Sequence, residues 1–250
     1  MRRAARLAAA LCALTLAGLT PAGSAAGCTA NVTGARYDTP TDRYPHGALG
    51  DPWEWAGLRV TLAPCDGGAE AAAIRLPRRL VFEDVRPLLH DLDGDGAPEL
   101  LTVESHRNLG ARLAVWAYAQ GRLTRIAATP HIGQANRWLA QLGAADLDGD
   151  GAVEIAYIDR PHLAKTLRIW RYENGTLTQV AAAGGLTNHR FGETEISGGI
   201  RDCGDGPEIV TANADWSRLM ASRLTGGRIA AREIGRDTGP GGFAAALACR

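Results

Sequence analysis

Lysine is almost missing from this chain: Lys165 stands alone among 27 basic residues, the rest being arginine. That bias marks a GC-rich bacterial genome, so the sequons at Asn31 and Asn174 are expected to carry no glycan. Acidic residues also number 27, and nothing in that balance calls for nucleic acid as a partner. Catalytic motifs are missing as well. There is no H-E-x-x-H, no G-x-S-x-G, no P-loop and no Rossmann glycine pattern. The histidines His46, His90, His106, His131, His162 and His189 lack partners at any known catalytic spacing. No C-x-x-C pair occurs, which argues against zinc or dithiol redox chemistry.

The first 26 residues read as a signal peptide. Arg2, Arg3 and Arg6 precede an apolar run from Leu7 to Leu19, followed by Pro21 and small residues ending Ser24-Ala25-Ala26. The run is short for a membrane span, and with the signal removed no transmembrane segment is expected. A competing reading makes Cys28 the lipidated residue of a lipoprotein. Removal of residues 1–26 leaves 24 basic and 27 acidic residues, a charge of −3. Cys12 leaves with the signal, so the mature chain keeps Cys28, Cys65, Cys203 and Cys249. An even number in an exported, periplasmic or secreted protein predicts two disulfides. Pairing of neighbours, Cys28–Cys65 and Cys203–Cys249, would tie down both ends of the chain; the other two connectivities stay open.

The stretch Asp91-Leu-Asp93-Gly-Asp95-Gly-Ala97-Pro-Glu99 returns almost unchanged as Asp146-Leu-Asp148-Gly-Asp150-Gly-Ala152-Val-Glu154. Carboxylates this close repel one another, so a packed protein keeps them when a cation, bound protons or full solvation relieves the charge. Calcium fits best, being a hard ion that takes oxygen ligands at flexible geometry. A helix-loop-helix site would need a bidentate Glu at its twelfth position, where Thr102 and Tyr157 stand. The last carboxylate falls at the ninth position instead and runs into β-type sequence. The expectation is therefore two Ca²⁺ ions in β-hairpin loops. The ligands are Asp91, Asp93, Asp95 and Glu99 with the Ala97 carbonyl, and Asp146, Asp148, Asp150 and Glu154 with the Ala152 carbonyl.

A D-x-D-G-D-G-x-x-E loop between two strands, repeated, resembles the FG-GAP and VCBS repeats of integrin-α-like β-propellers. Phe191-Gly192 followed by Ser197-Gly198-Gly199 adds to the likeness, which extends over roughly Tyr37 to Ile234. Asp91 to Asp146 is 55 residues and Asp146 to the eroded Asp202-Cys-Gly-Asp-Gly-Pro-Glu208 is 56. The resemblance implies an all-β propeller of four or five blades, with units near 37–82, 83–136, 137–191 and 192–234 in one domain, 27–250. Leu49-Gly-Asp-Pro-Trp-Glu54-Trp55 echoes Gly94 to Leu100 as a fourth loop without its acidic triplet. A strand from the tail, 235–250, could join the first blade of a closed ring and remove an exposed edge. Trp116, Trp170, Tyr118 and Tyr172 recur at equal positions and read as packing between blades.

In such a ring the segments carrying Arg43, Arg86, Arg137, His189 and Arg190 converge at the channel mouth opposite the calcium loops. Guanidinium groups there favour an anionic partner such as a carboxylated glycan or an acidic protein segment. The reading is a binding or adhesion-like module and not an enzyme. The alternatives are an exported hydrolase acting on carbohydrate or phosphoester, and a structural subunit of an envelope assembly.

Overall fold

The computed structural model describes residues 31–63, 68 and 70–250. The expected signal peptide, Cys28 and Cys65 lie outside the described residues. Among the described residues the fold is all-β, with one short helix. Strands β1 (Asn31–Thr41), β2 (Glu54–Ala63) and β3 (Ala71–Arg75) form an antiparallel meander. Next come β4 (Leu80–Phe82), β5 (Leu88–His90), β6 (Glu99–His106), β7 (Gly110–Ala119) and β8 (Arg122–Ala128). Trp55 pairs with Phe82, and Phe82 with Glu104, so β4 joins the first meander to β6, β7 and β8 in one sheet of eight strands. A second sheet holds β9 (Leu139–Ala145), β10 (Glu154–Asp159), β11 (Thr166–Glu173) and β12 (Thr176–Gly184). The third holds β13 (Leu186–Thr187), β14 (Gly199–Asp202), β15 (Pro207–Asn213), β16 (Leu219–Thr225) and β17 (Arg228–Gly235).

The duplicated sequence makes duplicated structure. The turns after β7, β11 and β16 are two-residue hairpins whose central residues, Gln120-Gly121, Asn174-Gly175 and Gly226-Gly227, all have positive φ. Such turns match the strand twist and need Gly or Asn-like residues at those angles. A bulge follows at matching places, between Val115 and Trp116 and between Ile169 and Trp170. The indoles are held alike too. Trp116 Nε1 donates to Thr102 Oγ1 (3.1 Å) and Trp170 Nε1 to Tyr157 Oη (3.0 Å), both partners being the twelfth residues of their loops.

Alternation along each strand supplies two interfaces. On β6, Leu100 packs toward Tyr37, Leu58 and Phe82, whereas Leu101 and Val103 pack toward Leu139, Ile155 and Tyr157. On β10, Ile155 and Tyr157 face that side while Ala156 and Ile158 meet Leu186, Ile209 and Leu224. Successive side chains point to opposite faces, so a strand buried on both reads as a continuous apolar run. Trp138, 2% exposed, closes one of these layers.

Two expectations are corrected. The tail is not a strand added to the first meander: Pro240–Leu247 forms helix α1, with Pro at the helix start where its missing N–H costs nothing. Phe243 and Ala246 of α1 cover Val210, Ala212 and Leu219 on the outer face of the third sheet. Cys203–Cys249 is a disulfide that pins the helix end to the loop before β15. The Glu54-Trp55 segment is also at the wrong end for a fourth loop. Its partner Phe82 lies beside Glu104, toward the end of β6 remote from the loop at 91–98.

Candidate functional site

Both intact loops fold around their first aspartate. Asp91 accepts from Gly94 N–H (2.8 Å) and Gly96 N–H (3.0 Å); Asp146 accepts from Gly149 (2.8 Å), Asp150 (3.1 Å) and Gly151 (3.0 Å). The glycines Gly94, Gly96, Gly149 and Gly151 all have positive φ, which curls the backbone so that the carboxylates gather on one side. The ninth-position glutamates begin β6 and β10 and point inward. Glu99 Oε2 accepts from Leu92 N–H and Glu154 Oε2 from Leu147 N–H, each at 2.9 Å. Asp91, Asp93 and Glu99 bring ligand oxygens within 4.8 Å of one another, and so do Asp146, Asp148 and Glu154. Asp95 and Asp150 are turned to Ala97 N–H (2.7 Å) and Ala152 N–H (2.9 Å).

The donor set fits a hard divalent cation: clustered carboxylate oxygens with no sulfur or imidazole among them. Electrostatics separate the loops. Burial, with Asp93 and Asp95 nearby, pushes the Glu99 carboxyl up to about 7 against the pull of Leu92 N–H. A cation in that loop would relieve this charge. In the second loop burial again raises Glu154, but Arg171 opposes it.

At the other end of the sheets lies a cavity of about 230 Å³ lined by His46, Asn136, Arg137, Trp138, Arg160, Pro161, His162, Leu163 and Phe191. Arg160 to Leu163 follow the end of β10 that is remote from its loop. The walls are largely apolar and aromatic: His162 stacks 6.0 Å from Trp138 and lies 5.3 Å from Phe191, which is itself exposed. Hydrogen bonds set the imidazole tautomers. His189 Nε2 faces the Glu193 carbonyl (2.9 Å), which only accepts, so His189 Nδ1 accepts from His162 Nε2 (2.9 Å) and leaves His162 Nδ1 bare. Burial, then His189 and His46, lowers His162 to about 4, so it is neutral at pH 7. His46 Nδ1 is 2.5 Å from buried Glu83, which also accepts from Ser105 Oγ.

The five residues expected at one mouth are distributed over several places. Arg137 lines the cavity, and His189 sits behind it against Trp138 at 4.9 Å. Arg43 is spent on backbone, donating to the Leu76, Pro77 and Leu80 carbonyls that turn β3 into β4. Arg86 borders a separate, smaller cavity with Asp84, Gln141 and Glu195. Arg190 lies 3.8 Å over the Trp216 ring and pairs with Glu193, an attraction of cation to ring face that draws it away. His162 stands in the sequence only as one of six histidines without a partner at a known spacing, because it sits on a β10–β11 connection with no motif. Arg171 escaped sequence reading, although its repeat partner Ala117 marked the position as variable.

Glu54, Glu83 and Asp84 are among the acids buried at this end. Asp84 is pushed up to about 7 by burial, against Val85 N–H and the Gln141 amide. Glu54 is pushed up to about 10 by burial and by Glu83, Asp51 and Asp84. Between its ordinary value of 4.5 and about 10, the folded chain holds a proton that the unfolded chain releases. Stability contributed here therefore falls as pH rises through that window and is unaffected below it. Glu54→Gln should raise the melting temperature at pH 8 by a few degrees, on the order of 1 kcal/mol once the cost of a buried amide is subtracted. At pH 4.5 the gain should vanish. Equal shifts at both pH values in paired thermal melts would contradict the assignment.

Residues 91–157 match the family model of the FG-GAP-like repeat. No curated protein matches the chain. The match runs from the first aspartate of the first loop into β10, so it takes in both loops and the meander between them. This stretch is thus similar to an FG-GAP-like repeat, and its acidic clusters are groups that could hold a metal ion.

Proposed function

We propose that this protein is an exported, calcium-braced binding module whose three sheets, the eight-stranded one counting as two blades, build a four-bladed propeller and whose ligand is anionic. The observation that carries the reading is the separation of tasks. The cation loops lie at one end of the strands, while the cavity holding Arg137, His162 and Phe191 lies at the other. The loops brace the blades; the cavity meets the ligand. A disulfide fits an oxidising compartment, and among the described residues no helix is long and apolar enough to cross a membrane. Ser105 donates to Glu83, not to His46, so this Ser, His and Glu lack the order that activates a nucleophile. The cavity suits one sugar ring or one side chain, being below the roughly 300–1,000 Å³ of drug-sized sites. Arg137 supplies a guanidinium for carboxylate.

Two measurements on the mature chain test this. EDTA should lower the melting temperature and added Ca²⁺ restore it, since binding to the folded state alone stabilises by about 2.7 kcal/mol at a hundredfold excess over Kd. Uronic-acid oligosaccharides and acidic peptides are then screened for capture. Arg137→Ala should reduce capture at least tenfold with the melt unchanged. A melt indifferent to EDTA removes the calcium brace, and capture that survives both Arg137→Ala and Phe191→Ala removes the cavity.

A further inference from the structure

The glutamates that close the three acidic turns, Glu99, Glu154 and Glu208, stand at the start of the second strand of three successive meanders. All are buried. Their surroundings differ in one respect, the number of guanidinium groups. Counting back three residues from the hairpin turns after β7, β11 and β16 gives Ala117, Arg171 and Arg223, one on each third strand beside the glutamate. Glu99 has no ion pair among the described residues. Arg171 reaches Glu154 Oε1 at 2.5 Å, Asp150 at 2.8 Å and Asp148 at 3.2 Å. Glu208 is held by Arg201 (2.5 Å), Arg232 (2.8 Å) and Arg223 (3.3 Å).

The oxygen involved is what matters. In both intact loops Oε2 of the glutamate is occupied by the N–H of the second loop residue. Oε1 is the oxygen left for a cation. At Glu99 no side-chain donor meets it among the described residues; at Glu154 it is the oxygen Arg171 takes. Asp148, the other shared partner, belongs to the same group of converging ligand atoms.

We propose that Arg171 is a built-in counter-cation that competes with calcium for the second loop, so the two loops are not equivalent sites. The inference rests on the calcium reading of the first loop. The first loop takes the ion directly, whereas at the second the guanidinium must leave Glu154 and Asp148 first. The third loop has gone furthest, with Asp205 the only loop aspartate besides Asp202 and three arginines in place of an ion. Charge-assisted hydrogen bonds of this kind correspond to a penalty of roughly 10–100-fold in the second loop's calcium affinity.

Calorimetric titration of EDTA-stripped mature protein with CaCl₂ tests it. Wild type should show one tight ion, with the second at least tenfold weaker or undetected. Asp93→Ala should remove the tight ion and Asp148→Ala should leave it. Arg171→Ala should bring the second ion to within a few fold of the first, and Ala117→Arg should weaken the first, giving a converse variant should Arg171→Ala fold poorly. Two equal ions in wild type overturn the inference while the calcium reading stands. Unchanged titrations in both Arg171→Ala and Ala117→Arg do the same. No ion in wild type or in Arg171→Ala ends both.

Discussion

Glu208→Ala is expected to destabilise the protein by about 3 kcal/mol, a melting-temperature drop of roughly 6–12 °C for a chain of this size. The carboxylate is buried, and Arg201, its direct partner across β14 and β15, is only 10% exposed. Burial pushes Glu208 up, but Arg201, Arg232 and Arg223 pull it below the ordinary glutamate value. Removing the acid strands the Arg201 guanidinium with, among the described residues, only the Ala246 carbonyl as partner. Arg223 and Arg232 are 35% and 56% exposed and can turn to water, which keeps the effect from being larger. Since the folded value is depressed, this contribution is present above the ordinary glutamate range and is lost as pH falls through the folded value. The control is Glu233→Ala, whose pairs with Arg218 and Arg236 lie at the surface and should cost nearly nothing. A Glu208→Ala melt within a degree of wild type would show that the three arginines are solvated without it.

Loss of the Cys203–Cys249 bridge should cost about 4 kcal/mol on the chain-entropy account for a loop of 46 residues. The bridge acts at a place where little else does. Helix α1 is eight residues long and has no side-chain cap, so it does not hold itself together and depends on Phe243 and Ala246 staying on the third sheet. The paired Cys203→Ser, Cys249→Ser variant should melt lower, bind a hydrophobic dye as Val210 and Leu219 become exposed, and be clipped by protease near Arg236. Reduction of wild type should reproduce all three. A variant that melts like wild type would mean that the Phe243 contacts alone hold the helix.

The sequence was most legible where it repeats. The Asp-x-Asp-Gly-Asp-Gly turns have one conformation because glycines at positive φ allow no other side chain comfortably, and the Trp at the bulge marks the register of each third strand. Legibility failed where tertiary partners decide. Glu54 resembles Glu99 in its local string, yet the pairing of Trp55 with Phe82 carries it to the opposite end. The tail, rich in Gly and Ala, shows no apolar stripe, and its helix forms because an apolar sheet face and a disulfide receive it. Arg43 and Arg190 look like ligand-seeking arginines in sequence; a ring of carbonyls and an indole face, both distant in the chain, claim them.

Helix α1 also takes the place that a further repeat would otherwise fill on the third sheet. Each sheet presents a flat apolar face that the next repeat covers, so a series of repeats carries no internal reason to end and the last one is left sticky. Here the uncovered face of the third sheet is sealed by eight residues of a different secondary structure, which offer no hydrogen-bonding edge to a further strand. The helix is a separable part, different in structure from the repeats beside which it packs. A chain deprived of it would present to its neighbours an apolar face like those its own repeats use to find one another.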